Sequence, residues 1–314
     1  MRRTQIFCLS AGLAFFAATA LAQELPQEGP VPTTALINVE SKNAAQLDPK
    51  ALNLQVNGRD TPINSLTHAG SGNVELAILI DDGLRTSFAQ QLREMSSFIN
   101  SLPRNVKVLV GYMQNGSVRS PGHFTADHQE VSNQLRITTS VPGSSASPYF
   151  CLSDFVKKWP SQQPAARFVL MITNGVDPYN GRPSVMNQNS PYVDTAQNDA
   201  QRAGVAVYSI YFPNAGFRGG QGSFSGQSYL QQVGEATGGM LFNNGSIPPV
   251  SIAPYLEQFG RAINTSYELG FRANAGNKRN TLTRIRVRSN QPGVKVRAPA
   301  AVRPGFNETI VRGR

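Results

Sequence analysis

One segment constrains the fold more than any other: an apolar run at residues 74–80 that ends abruptly in Asp81, Asp82 and Gly83. A strand that is buried on both faces reads as continuous Val, Ile and Leu rather than as an alternation. The run therefore predicts one strand of a parallel α/β sheet. In open α/β sheets, ligands bind beyond the carboxyl ends of the strands. The acidic pair is thus expected at the edge of the sheet where a binding site would lie.

Alternating strand and helix patterns continue from residue 74 to residue 264. Further apolar strands are expected at 106–113, 168–173 and 205–212, and apolar residues at helical spacing occupy segments between them, as at 87–102. This alternation predicts the fold class: α/β, a doubly wound and mostly parallel sheet in one domain that spans 74–264.

β segments flank this domain on both sides. Residues 34–67 contain short alternating pieces around an Asn57-Gly58 turn, and residues 265–298 contain further alternating strands. Because the termini of a domain usually lie close together, the two segments are expected to pack as one small β unit. Residues 23–33 are expected to form a flexible leader, and residues 299–314 a disordered tail.

The N-terminus has the three parts of a secretory signal: the basic start Arg2-Arg3, an apolar stretch at 6–20 and small residues up to Ala22. The segment 1–22 is therefore predicted to be a Sec-type signal peptide that is cleaved after Ala22, which makes the protein periplasmic or secreted. The alternative is an uncleaved membrane anchor. No later apolar run approaches the length needed to span a membrane, so the mature chain is expected to lack a span.

The chain is basic. Its formal net charge is +10, and loss of Arg2 and Arg3 with the signal leaves +8. For an exported protein this charge either only makes the surface soluble or favours a protein partner, anionic lipid head groups or an acidic envelope component over nucleic acid. Arg284, Arg286 and Arg288 fall on one face of a predicted strand. That face is either simply solvated or a contact for an acidic surface or anionic polymer.

With the signal removed, Cys151 is the one cysteine left, so no internal disulfide can form. Its apolar neighbours favour a small buried hydrophobic residue, with a reactive thiol as the alternative.

Several motifs in this order resemble those of a von Willebrand factor A-type domain. They are Leu-Ile-Asp-Asp-Gly at 79–83, the strand at 169–177 with Thr-Asn-Gly, the strand at 205–211, and Ala-Thr-Gly-Gly at 236–239. The flanking motifs at 54–58, 267–271 and 294–297 are similar to those of the VWFA-related proteins that are abundant in acidobacteria. The resemblance covers about 34–298 and implies an A-type fold.

The resemblance also implies a place for a metal-ion-dependent adhesion site, because the family carries D-x-S-x-S after its first strand. Here Asp81 matches the first Asp, but Gly83 and Arg85 stand where the two Ser belong, and Asn174 replaces a later Asp. Mg²⁺ takes oxygen ligands, so the lost oxygens and the added cation predict a degenerate site that binds no metal.

Alternatives to a metal-free site stay open at this stage. Ser144 or Ser145 is the candidate for the family's middle-loop threonine, and Asp82 or Asp177 would have to supply the missing carboxylate for a divergent Mg²⁺ site. Arg85 is expected either to pair with Asp81 or to bind a carboxylate of a partner directly.

The sequence thus predicts an exported, non-catalytic interaction module. Enzyme signatures are sparse, with no G-x-S-x-G motif and no histidine spacing typical of zinc. A metal-dependent adhesin-like module is the first alternative, and a hydrolase the second. The residues expected at the partner-binding loop edge are Asp81, Arg85, Ser145, Asn174 and Asp177.

Overall fold

A computed structural model describes residues 29–41, 47–140, 147–181, 184, 186–213, 220–243, 245, 247–274 and 281–306. The predicted signal peptide 1–22 and most of the predicted leader lie outside these residues.

The elements follow one another in three groups. The first group is the strands β1 (Pro30–Ser41), β2 (Leu52–Val56), β3 (Arg59–Asp60) and β4 (Ile63–His68). The second group alternates: β5 (Val74–Asp81), α1 (Leu92–Ser101), β6 (Val106–Gln114), β7 (Ser117–Arg119), α2 (His128–Asn133), α3 (Pro148–Lys157), β8 (Ala166–Thr173), α4 (Pro191–Arg202), β9 (Val205–Tyr211), α5 (Gly220–Thr237), β10 (Leu241–Phe242) and α6 (Ala253–Asn264). The third group is β11 (Ser266–Asn274), β12 (Thr283–Ser289), β13 (Val294–Arg297) and β14 (Ala301–Val302).

The second group forms a six-stranded sheet in the order β10-β9-β8-β5-β6-β7. Every pairing is parallel except that of the edge strand β7, which runs antiparallel to β6. The residues of β5 and β8 are buried along their whole length, because helices cover both faces of the sheet. The prediction of a doubly wound, mostly parallel sheet is confirmed.

Two apolar layers separate the sheet from its helices. Leu76, Ile78 and Ile80 of β5 pack with α1 and α6, whereas Ala77 and Leu79 pack with α3, α4 and α5. Since successive side chains of a strand point to opposite faces, one continuous apolar run supplies both layers. Asp81 follows in this alternation and ends the strand at the carboxyl edge of the sheet.

The first and third groups form two antiparallel sheets, β13-β1-β11-β4 and β14-β12-β2-β3. Their inner faces share an apolar core that includes Ile37, Leu54, Leu269 and Phe271. The turn between β2 and β3 is formed by Asn57 and Gly58, whose φ angles of 50° and 79° are those of a two-residue hairpin turn. The flanking β unit expected in the fold class is therefore present, and strands from both ends of the chain build it.

Two expected boundaries need correction. β1 begins at Pro30, inside the predicted flexible leader, and Val31 is buried. Over Pro30–Pro32 the strand pairs with β11 on one side, while β13 pairs with β1 only from Asn38 onwards. Prolines are tolerated in this part of the strand because its other side needs no N–H donor. Residues 299–306 of the predicted disordered tail are ordered, because β14 pairs with β12 and Phe306 is buried. Residues 307–314 lie outside the described part of the chain.

Within the described part of the chain, no helix combines the length and apolar content that crossing a membrane requires.

Candidate functional site

The carboxyl ends of the parallel strands meet at one edge of the central sheet. β5 ends at Asp81, and its neighbour β8 ends at Thr173. We call this region the loop edge and define it by residues 81–91, 134–140, 174–181, 186–190, 224–227 and 247–252. Backbone hydrogen bonds tie residues 134–140 to it, since the Ser140 N–H donates to the carbonyl of Asp82 over 3.2 Å.

Asp81 is buried and its carboxylate is engaged by the protein. The Gly83 N–H donates to Oδ1 over 2.9 Å, and the Thr173 hydroxyl donates to Oδ2 over 2.7 Å. The second bond joins the ends of β5 and β8. Asp81 therefore fixes the turn that follows its own strand and connects it to the neighbouring strand.

Asp82 lies in a separate network and is completely buried. Arg136 Nη1 donates to its Oδ1 over 2.8 Å, and the Thr139 N–H donates to the same oxygen over 3.0 Å. The Thr139 hydroxyl, the Ser140 hydroxyl and Gln114 Nε2 donate to Oδ2 over 2.9–3.1 Å. Five donors satisfy this carboxylate, so it anchors residues 136–140 to the end of β5.

The pKa of Asp82 reflects two opposing effects. Burial favours the neutral carboxyl and raises the pKa, but the hydrogen bonds from Arg136 and Thr139, with the charge of Arg136, outweigh it. The pKa therefore lies below its ordinary value, and the ionised carboxylate is the form that the network holds.

The loop after β8 is shaped by two further side chains of the predicted site. Asn174 Oδ1 accepts from the Val176 N–H over 2.8 Å. Asp177 accepts from the Tyr179 N–H over 3.1 Å and from the Ser190 hydroxyl over 2.9 Å. Both side chains are buried. Asn174 and Asp177 are thus turn-forming residues that position the loop.

Two buried contacts fix this loop from the helix side. The Tyr149 hydroxyl donates to the carbonyl of Gly175 over 2.7 Å, and the Tyr149 ring packs edge-on against Tyr229. A Cβ on Gly226 of α5 would lie 2.1 Å from the carbonyl oxygen of Asn174. The α5 backbone therefore touches the loop directly, at a position where only glycine fits.

The predicted Arg85–Asp81 pair is absent from the ion pairs of the described residues. Arg85 is half-buried and precedes the short 3-10 helix Thr86–Gln91. Ser145, the predicted middle-loop residue, lies outside the described residues. Sequence reasoning missed Arg136, Thr139 and Ser140, which hold Asp82, because no local pattern connects them to β5.

The residues at this edge do not fit a Mg²⁺ site of the family's kind. The oxygens of Asp81 already accept protein donors, Gly83 has no side-chain oxygen, and the Asn174 amide oxygen caps its own turn. Asp82 and Asp177, the alternative ligands, are satisfied within separate networks. Over the described residues, no three His, Cys, Asp or Glu side chains come together as a metal-binding group.

Apolar side chains are exposed at the loop edge. The described residues contain six large hydrophobic side chains with exposed fractions between 46% and 96%, and all six lie in loop-edge segments: Ile137, Tyr179, Met186, Phe224, Ile247 and Val250. The ring of Tyr179 also packs at a tilt against Phe150, whose ring packs edge-on against Tyr192. The acidic residues of these segments, Asp81, Asp82 and Asp177, are buried.

Cys151 lies beneath this edge as a free and fully buried cysteine. Burial, with a smaller contribution from the charge of Asp81, raises the pKa of its thiol to about 12. The prediction of a small buried hydrophobic residue is confirmed, since such a thiol is neutral and shielded.

The strand order, the antiparallel edge strand and the position of the polar strand ends together define a von Willebrand factor A-type α/β fold, as the sequence motifs predicted. Among solved structures, the chain is similar to a von Willebrand factor type A protein from Catenulispora acidiphila, at 13% identity over 89% of this chain and 75% of that one, with a TM-score of 0.43. It is also similar to an aerotolerance-related membrane protein from Bacteroides fragilis, at 14% identity over 61% and 99% of the two chains, with a TM-score of 0.44.

A third similar structure is proximal thread matrix protein 1 from the mussel byssus, with a zinc-occupied MIDAS motif. Its identity is 11% over 67% of this chain and 50% of that one, with a TM-score of 0.41. No protein-family model matches the chain, and no curated protein matches it. Similarity at this level concerns the fold alone and assigns neither a partner nor a metal to this chain.

Proposed function

We propose that this protein is an exported, non-catalytic interaction module that binds a protein partner through the loop edge without a metal ion. One observation carries the proposal: the six large exposed hydrophobic side chains of the described residues all belong to this edge. Exposed apolar side chains concentrated at one edge of a domain are typical of a binding site. Here it coincides with the edge of an α/β sheet where ligands bind.

The charges at the edge indicate the chemistry of the partner. The carboxylates of Asp81, Asp82 and Asp177 are buried, whereas Arg85 is half-buried and the Arg136 side chain is 40% exposed. A partner surface that carries apolar groups beside a carboxylate would complement this pattern. Aromatic and arginine side chains are also the residues that contribute most at protein interfaces.

The predicted site residues then divide into two roles. Asp81, Asn174 and Asp177 hold the loops in shape through the hydrogen bonds described above. Arg85 and Ser145 are proposed to contact the partner, together with Tyr179 and Met186. The proposal excludes nucleophilic catalysis by Cys151, because its thiol is buried and neutral.

The test is affinity capture from envelope extracts of the source organism, with the chain immobilised and the retained proteins quantified. The loop-edge variant is Met186→Asp with Val250→Asp, which places charge on the two most exposed apolar positions. We expect it to retain the partner at least about tenfold less than the unsubstituted chain, because a buried unpaired charge is costly at an interface. A parallel capture with chelator is expected to change nothing.

The matched control is Gln162→Asp with Gln163→Asp, two exposed residues that precede β8 at the opposite edge of the sheet. Equal loss in the two double variants, or no specific capture by the unsubstituted chain, would show that the loop edge is not the binding surface. Loss of capture on chelation would instead favour the metal-dependent alternative.

A further inference from the structure

A row of three arginines lies on the outer face of the β unit. In β12, Thr283, Ile285 and Val287 point into the core, whereas Arg284, Arg286 and Arg288 are exposed. Residues i and i+2 of a strand lie about 7 Å apart, so the row presents a cation at each such interval. The pairing with β2 sets Gln55 beside Arg286 and Asn53 beside Arg288.

The described strands of its own sheet bring one acidic residue to the row. Within the described residues, none of the three arginines forms an ion pair. The acidic residue of the neighbouring strands is Asp60, which is two strands away from Arg286 and accepts from Gln55 Nε2 over 3.0 Å. Like charges on the same face of a strand repel one another. An anionic ligand would relieve this repulsion.

The position of the row within its sheet indicates what form that ligand takes. β12 pairs with β2 from Ile285 to Ser289, whereas β14 pairs with it only at Thr283 and Arg284. An extended acidic peptide laid across the outer face, over the arginine side chains, would meet no backbone groups of the sheet there, so the amide groups it turns towards the face would be desolvated without backbone partners. A polymer with its charge on the backbone meets no such cost.

The side chains of the face distinguish between polymers of this kind. Strands β2, β3 and β12 contain no aromatic residue, so the face has no ring on which nucleobases would stack. They also hold none of the large exposed hydrophobic side chains, which lie at the loop edge, so nothing here would insert into a bilayer. The donors that remain are guanidinium and amide groups, which suit phosphate oxygens.

We propose that the β12 face binds an extended polyol-phosphodiester chain, of the poly(glycerol phosphate) kind, with successive phosphates on Arg284, Arg286 and Arg288. In a glycerol-phosphate polymer, neighbouring phosphorus atoms are separated by a certain number of backbone bonds. The same number of bonds separates the Cα atoms of residues i and i+2 in a strand. The extended polymer therefore repeats its charge at nearly the interval of the arginines. This surface is separate from the loop edge and leaves that edge free for a protein partner.

The test is a salt-dependent binding titration of the full chain with a labelled synthetic glycerol-phosphate oligomer. The variant R284Q/R286Q/R288Q is expected to bind at least about tenfold more weakly, and its slope of log K against log salt to be smaller by about 2, since each lost phosphate contact removes roughly 0.7 for a flexible strand. The matched control R93Q/R104Q/R119Q removes the same charge from three exposed arginines elsewhere. It is expected to bind within about twofold of the unsubstituted chain.

Comparison ligands complete the experiment. A single-stranded DNA of equal charge, an acidic peptide and anionic vesicles are each expected to bind more weakly than the oligomer. Equal loss in the two triple variants would show that net charge alone drives binding. Tighter binding of any comparison ligand, or no binding of the oligomer at low salt, would equally overturn the proposal. Melting curves of both variants verify that they are folded.

Discussion

Asp81 and Asp82 are neighbours in the chain, yet their carboxylates belong to different networks. Asp81 accepts from Gly83 and Thr173 and so joins two strands of the sheet. Asp82 accepts from residues of the 136–140 loop and from Gln114. Since adjacent residues of a strand end point in opposite directions, one acidic pair serves two sides of the loop edge.

At the residue scale, Asp82→Asn is expected to destabilise the protein by about 2 kcal/mol at pH 7, because charge-assisted hydrogen bonds to a buried carboxylate are replaced by an amide that meets other donors. The pKa of Asp82 is lowered in the folded state. The stabilisation that ionised Asp82 gives the folded state is therefore fully present above the pKa of the unfolded state, about 3.9. It is lost as the pH falls through the lower pKa of the folded state.

Urea unfolding of the unsubstituted protein and of Asp82→Asn between pH 7 and pH 3 measures this pH-dependent stabilisation. The difference in unfolding free energy is expected to shrink at the acid end. Asp60→Asn, at an exposed carboxylate, serves as the control and should change stability by less than about 0.5 kcal/mol. A difference that stays constant with pH would mean that the ionised state of Asp82 does not stabilise the loop.

The origin of the Asp82 network also shows where sequence reasoning reaches its limit. Arg136 lies 54 residues from Asp82, and it meets that carboxylate through a loop with no periodic pattern. The strand before Asp82 was predictable because burial on both faces leaves a continuous apolar run. Its partner Arg136 was not predictable, because the conformation of the 136–140 loop depends on its contact with the Asp82 carboxylate.

At the element scale, the loop after β8 and the helix α5 constrain each other through Gly226. Helix propensity favours alanine over glycine by about 1 kcal/mol. Packing opposes alanine at position 226, because the added Cβ would lie 2.1 Å from the backbone oxygen of Asn174. Gly226→Ala is therefore expected to destabilise the protein by about 2 kcal/mol or more, since α5 or the loop must shift.

Gly260→Ala is the matched control, because it is also a helical glycine but its Cβ would meet only Phe98, at 3.5 Å. Thermal unfolding should show a lower Tm for Gly226→Ala and an equal or higher Tm for Gly260→Ala. If both variants gain stability, the α5 backbone does not approach the loop after β8 as closely as described. The sequence alone does not predict this contact, because the close approach of two backbones leaves no local signal beyond the glycine itself.

At the scale of the whole molecule, the C-terminal residues connect the β unit to the A-type domain. The Ala300 N–H donates to the carbonyl of Ala236 at the end of α5, and β14 pairs with β12. Beyond β14, the centroid of the Phe306 ring lies 5.1 Å from the guanidinium carbon of Arg167. The pairing of β1 with β11 completes the connection from the other end of the chain. The sequence alone predicted disorder at 299–306, because the segment is short, contains two prolines and a glycine, and acquires order only by packing on distant strands.

Phe306 covers a buried charge. Arg167 is 5% exposed, and burial lowers its pKa to about 10, an effect that the charge of Glu75 partly offsets. The Glu75 carboxylate also accepts from Trp159 Nε1 over 2.6 Å, and Arg167 donates to the carbonyls of Ala203 and Ser161. The ring of Phe306 closes this cluster against Gly204. Removing it would leave a cavity beside a charged group that is held away from water.

Phe306→Ala is therefore expected to lower the free energy of unfolding by about 3 kcal/mol, the lower end of the range for a buried phenylalanine, since the residue is still 8% exposed. Phe224→Ala removes a ring that is 46% exposed and should cost less than about 0.5 kcal/mol. Urea unfolding of the two variants, followed by far-UV circular dichroism, provides the comparison. Equal stabilities would mean that residues 299–306 do not hold the β unit against the A-type domain, and that the segment behaves as the disordered tail its composition predicts.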